Sequence, residues 1–344
     1  MNKRMTRFYS YVTFCTLIFL LYFKIFHQKP SEFSFGTKYE KEFRVELKDI
    51  NISYFYYGFG EFKCAEKSNI LISTLSRPNA FGQRMQIRNS WKKDIPSTMT
   101  HKFFIGTVED ERIKDALKKE SKKFGDIVFT SLMDSYLNLT LKMNSLYQFQ
   151  QNFCPKVEYF MRADEDTVLD VSRFQYWLKK EFNKISKKYD DMIIFGYLYP
   201  KNIVLRDPND RWYVPYEAYP NSYYPDYVQG PCYLLPSKAV KAILKEAKKH
   251  LHITVDDAFY TGIITNAAGI KVFNGRKYFA LKNPLNELNP ENQWDKECDE
   301  NGVPLLFSIV DEDGEIENLS GGYMEGLKKL KSLKDSCQNS NKFY

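Results

Sequence analysis

No two cysteines in this chain have C-x-x-C spacing, so nothing in the sequence signals a structural zinc site. There is no internal repeat, no low-complexity tract and no basic stripe interleaved with aromatics. Solenoids, disordered scaffolds and the recognisable nucleic-acid modules are set aside on those grounds. Charge of one sign is also scarce. The net value is +7 over 344 residues, and the lysines of 114–123 and 179–188 fall in helical stretches, as on solvated faces. What is left is ordinary globular composition, 43% hydrophobic and 27% charged, with enough chain for a substantial core.

Long apolar runs are nearly absent too, with one exception. Phe8 to Phe23 carries no charge, and Ile25 and Phe26 extend the run past Lys24. A bilayer span needs roughly 17–25 apolar residues, so this run is short but sufficient. Lys3, Arg4 and Arg7 precede it and hold that end in the cytosol. IFHQKPSEF, which follows, offers no small-residue cleavage site. The expected organisation is a cytoplasmic tail at 1–7, a signal anchor at 8–26, a lumenal stem at 27–65 and a main domain at 66–344. A short span suits the thinner membranes of the early secretory pathway.

Cysteine usage fits a lumenal address. With Cys15 in the span, Cys64, Cys154, Cys232, Cys298 and Cys337 remain. An odd number leaves at least one thiol free or paired with a second copy in a homodimer. Asn51, Asn138 and Asn318 begin N-x-S/T sequons, which only a lumenal chain would use.

From Asn69 onward apolar strands alternate with amphipathic helices. NILIST, KFFIG, DIVFT and the segment 157–163 read as strands. Residues 83–91, 109–124, a stretch through Tyr136, Met143 and Phe153, and 172–188 read as helices, the second closed by Gly125. Strand 192–196, an irregular or hairpin-like region 206–233, helices at 237–249 and 256–268, a strand at 270–273 and a hairpin at 305–319 complete the expectation. This alternation predicts an α/β fold with a mostly parallel sheet covered by helices on both faces. Ligands of such sheets bind outside the carboxyl ends of the strands.

The tripeptide DED falls at one such end, in YFMRADEDTVLD, and again in VDEDGEIENL. The second copy runs into Gly314 between apolar segments, which is hairpin-turn chemistry. The first follows a buried strand with no turn after it. Carboxylates gathered there repel one another unless a cation or donors compensate, and a hard divalent ion is the natural compensation. A solvated acidic loop is the plain alternative.

These residues sit in a series of blocks. RMQIRNSW (Arg84–Trp91), FGDIVFTSLMDSYLNLTLK (Phe124–Lys142), FMRADEDTV, RWYVPYEAYPNSYYPDYVQGPCYLLPS and DDAFYTGI occur in that order. Together they resemble the β-1,3-galactosyltransferase family (glycosyltransferase family 31), from about Ile70 to Ile270. The resemblance implies a GT-A-type, Rossmann-like sheet preceded by one transmembrane helix, with 66–344 as the glycosyltransferase domain, in a type II Golgi membrane protein. It implies inverting transfer of a hexose or N-acetylhexosamine from a UDP-sugar to a glycan acceptor in β-1,3 linkage, with Mn²⁺ or another divalent cation.

Carried over by position, Asp166 would be the direct metal ligand and Asp164 would lie nearer the ribose. Asp257, or its neighbour Asp256, would be the general base. Arg84, Arg88, Lys142 and Glu165 would stand at nucleotide-sugar positions, with folding roles for the basic three equally open. Tyr223, Tyr227, Gly230 and Tyr233 would shape the sugar and acceptor cleft, against equally open core and hairpin roles. Trp91 and the Tyr136–Thr140 stretch are expected in the core.

Three departures stand out. Asp257 to Gly262 spans five residues where the family has four, so either a residue is inserted or Ala258 replaces the usual Asp. No His follows His252 to supply a late metal ligand, leaving Asn283 or a water. Gln229 stands where a Cys is expected, with Cys232 displaced by three. A catalytically silent relative acting as a lumenal chaperone or binding protein is the alternative, and a plain sugar-binding module a third.

Overall fold

A computed structural model describes residues 54–280, 297–311 and 321–340. The expected anchor at 8–26, most of the stem, Asn51, Asn283 and Asn318 lie outside the described residues. Among those described, no helix is long and apolar enough to cross a membrane.

Chain order runs β1 (Tyr56–Tyr57), β2 (Ile70–Leu75), α1 (Phe81–Asn89), β3 (Met99–Thr107), α2 (Glu111–Phe124), β4 (Ile127–Met133), α3 (Leu139–Phe153), β5 (Tyr159–Ala163) and β6 (Thr167–Leu169). A long helical segment follows, α4 (Val171–Trp177) and α5 (Asn183–Lys188) joined by a π turn at Leu178–Phe182. Then come β7 (Ile193–Tyr199), β8 (Tyr227–Pro236), α6 (Ser237–Ala247), a second π turn (Ala258–Ile264), α7 (Thr265–Ala267) and β9 (Lys271–Asn274). Short strands β10 (Phe279–Ala280) and β11 (Ser308–Val310) and the helix α8 (Gly322–Ser340) close the described chain.

The large sheet has the order β1-β4-β3-β2-β5-β8-β7-β9. Strands β4, β3, β2 and β5 are parallel, as expected from continuous apolar runs. The sheet is nonetheless mixed, because β8 runs antiparallel between β5 and β7. The expected irregular region therefore ends in a ten-residue central strand. Its Tyr- and Pro-rich approach hides it, and ladder bonds on both sides override local preference.

Successive strand side chains alternate between the two sheet faces, and each face carries a core. Ile70, Ile72, Phe103, Ile105 and Met161 pack with Ile87, Leu117, Phe174, Trp177 and Leu330 from the helices on one side. Leu71, Phe104, Val128 and Phe160 pack with Met143, Leu146, Phe149, Ile243 and Phe259 on the other. Helix α2 starts on Asp110, whose carboxylate accepts the Arg112 and Ile113 N–H groups, and ends at Gly125 with φ +64°.

Residues 54–65, expected in the stem, belong to the folded domain. Strand β1 pairs with β4, and Cys64 is bridged to Cys154. A second disulfide joins Cys298 to Cys337. Cys232 is the free thiol among the described residues, and it is buried, with burial pushing its pKa up to about 12. That setting does not suit a disulfide-linked homodimer.

Candidate active site

Strand β5 delivers Arg162 into the interior and Asp164 to its carboxyl end. Arg162 is 2% exposed. Its Nε and Nη2 each donate to Asp164 at 2.8 Å, and its Nη1 donates to Asp256. One guanidinium thus joins the acidic triplet to the acidic pair, which lies far along the chain. Strand β8 lets this happen. A Cβ at Gly230 would lie 3.3 Å from an Arg162 nitrogen and 3.4 Å from the Asp257 Cβ. The Gly230 N–H donates to Asp257 at 3.3 Å.

Asp257 stands at the entrance to the second π turn, where it also accepts the Ala258 N–H at 2.7 Å. Burial, and next the negative charge of Asp256, raise its pKa to about 7. A π turn accommodates one extra residue in a helix, which is the size of the spacing departure between Asp257 and Gly262. Ala258 is fully buried, while Gly262 remains where its backbone must pass Tyr227, with a Cβ there only 2.9 Å from the Tyr227 Cβ. A π turn at this point is compatible with an inserted residue that leaves Asp257 beside Gly230.

Several candidates with two roles open to them occupy structural positions. Arg84 is fully buried, and its donors reach Glu120, the Ser76 hydroxyl and the carbonyls of Arg77 and Pro78. Five N–H groups is the whole inventory of a guanidinium, so none is left for a nucleotide. Arg88 pairs with Glu120 and Asp126. Lys142 donates to the Ser76 carbonyl at 2.8 Å and to Asp134 at 2.6 Å. Arg84 and Lys142 brace the chain after β2 from within, while Arg88 ties α1 to α2 and to Asp126 just before β4.

Glu165 also turns inward. Its carboxylate accepts the Ser76 hydroxyl and the Arg77 N–H, both at 2.8 Å, and the Arg77 Nε. Tyr233 is a core residue, fully buried with its hydroxyl 2.7 Å from that of Tyr147. Tyr227 is buried beside Tyr199 and Tyr224, with its hydroxyl taking the Asn202 amide at 3.1 Å. Asn138 is buried and its amide donates to the Met133 carbonyl at 3.0 Å, a poor place for a glycan. Trp91 is in the core as expected, but Tyr136 is 38% exposed.

Two features escaped sequence reasoning. Arg77, its side chain 67% exposed, stands beside the triplet in salt bridge with Glu165. Its only sequence signal is its place just after strand β2. Trp212 and Tyr216 are exposed in the 201–226 region, near the expected cleft residue Tyr223, also exposed, and the Arg211 guanidinium lies 4.3 Å from the Tyr136 ring centre. This region meets the acidic pair's approach where the Thr254 hydroxyl donates to the Tyr213 carbonyl at 3.4 Å.

The arrangement gathers Asp164, Asp256 and Asp257 near one buried cation, with Asp166 two residues past Asp164 in the same loop. Among the described residues no group of three or more His, Cys, Asp or Glu converges as a metal cage. The donor set instead fits a hard divalent ion held by one or two carboxylates and completed by substrate phosphates.

A carboxylate site at strand ends of a mixed α/β sheet defines a candidate group-transfer enzyme. Comparison with known proteins narrows this. A family model described as Galactosyltransferase matches residues 82–276, and the chain belongs to that family. It is 28% identical to β-1,3-galactosyltransferase bre-2 of Caenorhabditis elegans over 240 residues, 67% of this chain and 65% of that protein. Identity to β-1,3-galactosyltransferase 1 of Mus musculus is 28% over 248 residues, 70% of this chain and 72% of that protein. Lactosylceramide 1,3-N-acetyl-β-D-glucosaminyltransferase A of Xenopus laevis is 29% identical over 213 residues, 58% of this chain and 55% of that protein.

Proposed function

We propose that this chain transfers a hexose or N-acetylhexosamine from a UDP-sugar to a glycan hydroxyl, with inversion and in β-1,3 linkage. Its relatives' names include both galactosyl and N-acetylglucosaminyl transfer, so the donor sugar is left at that class. The observation that carries the reading is the convergence of Asp164 and Asp256 on Arg162, which brings Asp257 to the same cleft as the triplet.

In the proposed reaction Asp257 takes the proton of the acceptor hydroxyl. That oxygen attacks the anomeric carbon opposite the diphosphate, the bond from that carbon to the phosphate oxygen breaks, and UDP leaves with the electron pair. A base poised near neutral pH is suited to the task. Asp166, with Asp164, would hold a divalent cation, Mn²⁺ in this reading, which when bound supplies positive charge against the leaving diphosphate. The exposed Trp212 and Tyr223 offer aromatic faces of the kind that sugar rings stack on. The setting proposed is the Golgi lumen, behind a membrane anchor at 8–26.

A non-catalytic binding protein is the second reading, favoured by the small ligand set among the described residues. Calorimetry of UDP with the full chain, with and without Mn²⁺, separates the two. Expected is binding that strengthens with Mn²⁺ and loses that gain in Asp166→Ala. No UDP binding under either condition would sink the enzyme reading.

A further inference from the structure

The main-chain oxygens of the acidic loop are all held. The Asp164 carbonyl accepts the Thr167 N–H at 3.1 Å, closing the loop on itself. That of Glu165 accepts the Tyr323 hydroxyl at 2.9 Å. That of Asp166 accepts the Asp311 N–H at 2.8 Å, and that of Thr167 accepts the Trp91 indole N–H at 2.9 Å. From the other side, the Pro231 carbonyl of β8 takes the Asp164 N–H at 2.8 Å and the Thr167 hydroxyl at 3.2 Å.

Two of these donors, Asp311 and Tyr323, lie beyond residue 276, where the family match ends. Asp311 opens the second DED, so the copy read as a hairpin turn is bonded through its first residue to the end of the first copy. Tyr323 is 1% exposed at the start of α8. Its own N–H donates to the Gln86 side chain at 2.7 Å, and α8 is tied to Cys298 through Cys337. The hydroxyl therefore arrives from a segment anchored at both ends.

We propose that Tyr323 is a positioning residue for the acidic loop. By fixing the carbonyl between Asp164 and Asp166, the C-terminal helix sets the directions of the two flanking carboxylates before a ligand arrives. The ligand class is a divalent cation with a diphosphate, so the inference rests on the proposed reading of the triplet. Such prior ordering strengthens binding because the site loses less freedom when it is filled.

Tyr323→Phe keeps the ring and removes only the hydroxyl. We would titrate UDP into the full chain, wild type and variant, at saturating MnCl₂ and without metal. Amide hydrogen exchange of residues 159–170 in the ligand-free proteins and a thermal melt would run beside it. Expected is a Kd for UDP with Mn²⁺ raised about tenfold, as for other groups that orient ligands from behind. Metal-free UDP affinity should move less, and exchange of the 164–167 amides should quicken. A role in stability alone would lower Tm and leave the Mn²⁺-dependent affinity untouched, which overturns the proposal.

Should Tyr323→Phe fail to fold, Gln86→Met loosens the start of α8 from a partly exposed position. It should shift the same affinity in the same direction, and no shift there also overturns the proposal. Wild type that binds no UDP removes both the functional reading and this one. Wild type and Tyr323→Phe binding UDP alike removes only this one.

Discussion

Two buried clusters of arginine and carboxylate stand on this sheet, and they differ in balance. Arg84, Arg88 and Lys92 face Glu120 and Asp126, three cations against two anions, with each carboxylate held by two of the cations. At the other cluster Arg162 alone faces Asp164, Asp256 and Asp257. The first cluster satisfies its own donors and joins α1 to α2 and β4. The second carries more carboxylate than its one cation can neutralise, and burial, then repulsion from Asp256, raises the Asp257 pKa to about 7. A self-satisfied charge cluster reads as structure. An unbalanced one at strand ends reads as a place awaiting positive charge or a proton.

The sharpest way to break this contrast is Asp257→Asn. Turnover of UDP-sugar and acceptor should fall by about 10² to 10⁴, the usual contribution of a general base, while UDP affinity holds. Stability should move the other way. Asp257 has its folded pKa raised from 3.8 to about 7, so the stability linked to its protonated form is present below pH 4 and lost as pH rises through 7. The Asn variant escapes that loss, and its Tm at pH 8 should exceed that of wild type. A variant that loses turnover and Tm together would mark Asp257 as structural.

Next in size is Arg88→Met at the self-satisfied cluster. Removing one partner of a buried ion pair costs about 3–5 kcal/mol, read as a lower urea midpoint. The Kd for UDP of the folded fraction should stay within about twofold, since less than ~0.4 kcal/mol of coupling is expected across so many intervening bonds. Arg162→Lys comes third. Lysine cannot grip Asp164 with two parallel bonds and still reach Asp256. Losing one or more charge-assisted bonds of about 1.5–3 kcal/mol should lower turnover tenfold or more. Turnover unchanged in Arg162→Lys would mean that the two acidic groups are aligned by β8 alone.

Much of this was legible in the chain and some of it was not, for identifiable reasons. NILIST, KFFIG and DIVFT announced themselves because strands buried on both faces are continuous apolar runs. The acidic triplet stood out because carboxylates do not follow a buried strand without cause. Arg84 and Arg88 stand between two roles in the sequence because an i,i+4 pair of arginines looks the same whether it awaits a phosphate or a carboxylate, and Glu120 is remote in sequence. Strand β8 was hidden because its pairing partners lie on both sides of it and its approach is turn chemistry. The clamp on the acidic loop was invisible for a deeper reason. Trp91, Asp311 and Tyr323 meet main-chain carbonyls, which every residue has, so no motif marks the acceptor.

The smallest expected effect tests the unbalanced cluster most directly. Asp256 is the second cause, after burial, of the raised pKa of Asp257. Its neutralisation in Asp256→Asn keeps an oxygen for the Arg162 Nη1 while removing the neighbouring negative charge. If Asp257 is the base as proposed, the low-pH limb of turnover follows its ionisation near pH 7 and should then move to lower pH. The direction follows from the sign, because less negative charge nearby makes the Asp257 carboxylate easier to form. At pH 6 the variant would hold a larger fraction of ionised base than wild type, so its activity relative to its own plateau should be higher there. A limb that stays in place would mean that burial alone sets this pKa, and a limb that vanishes would make Asp256 the group that titrates.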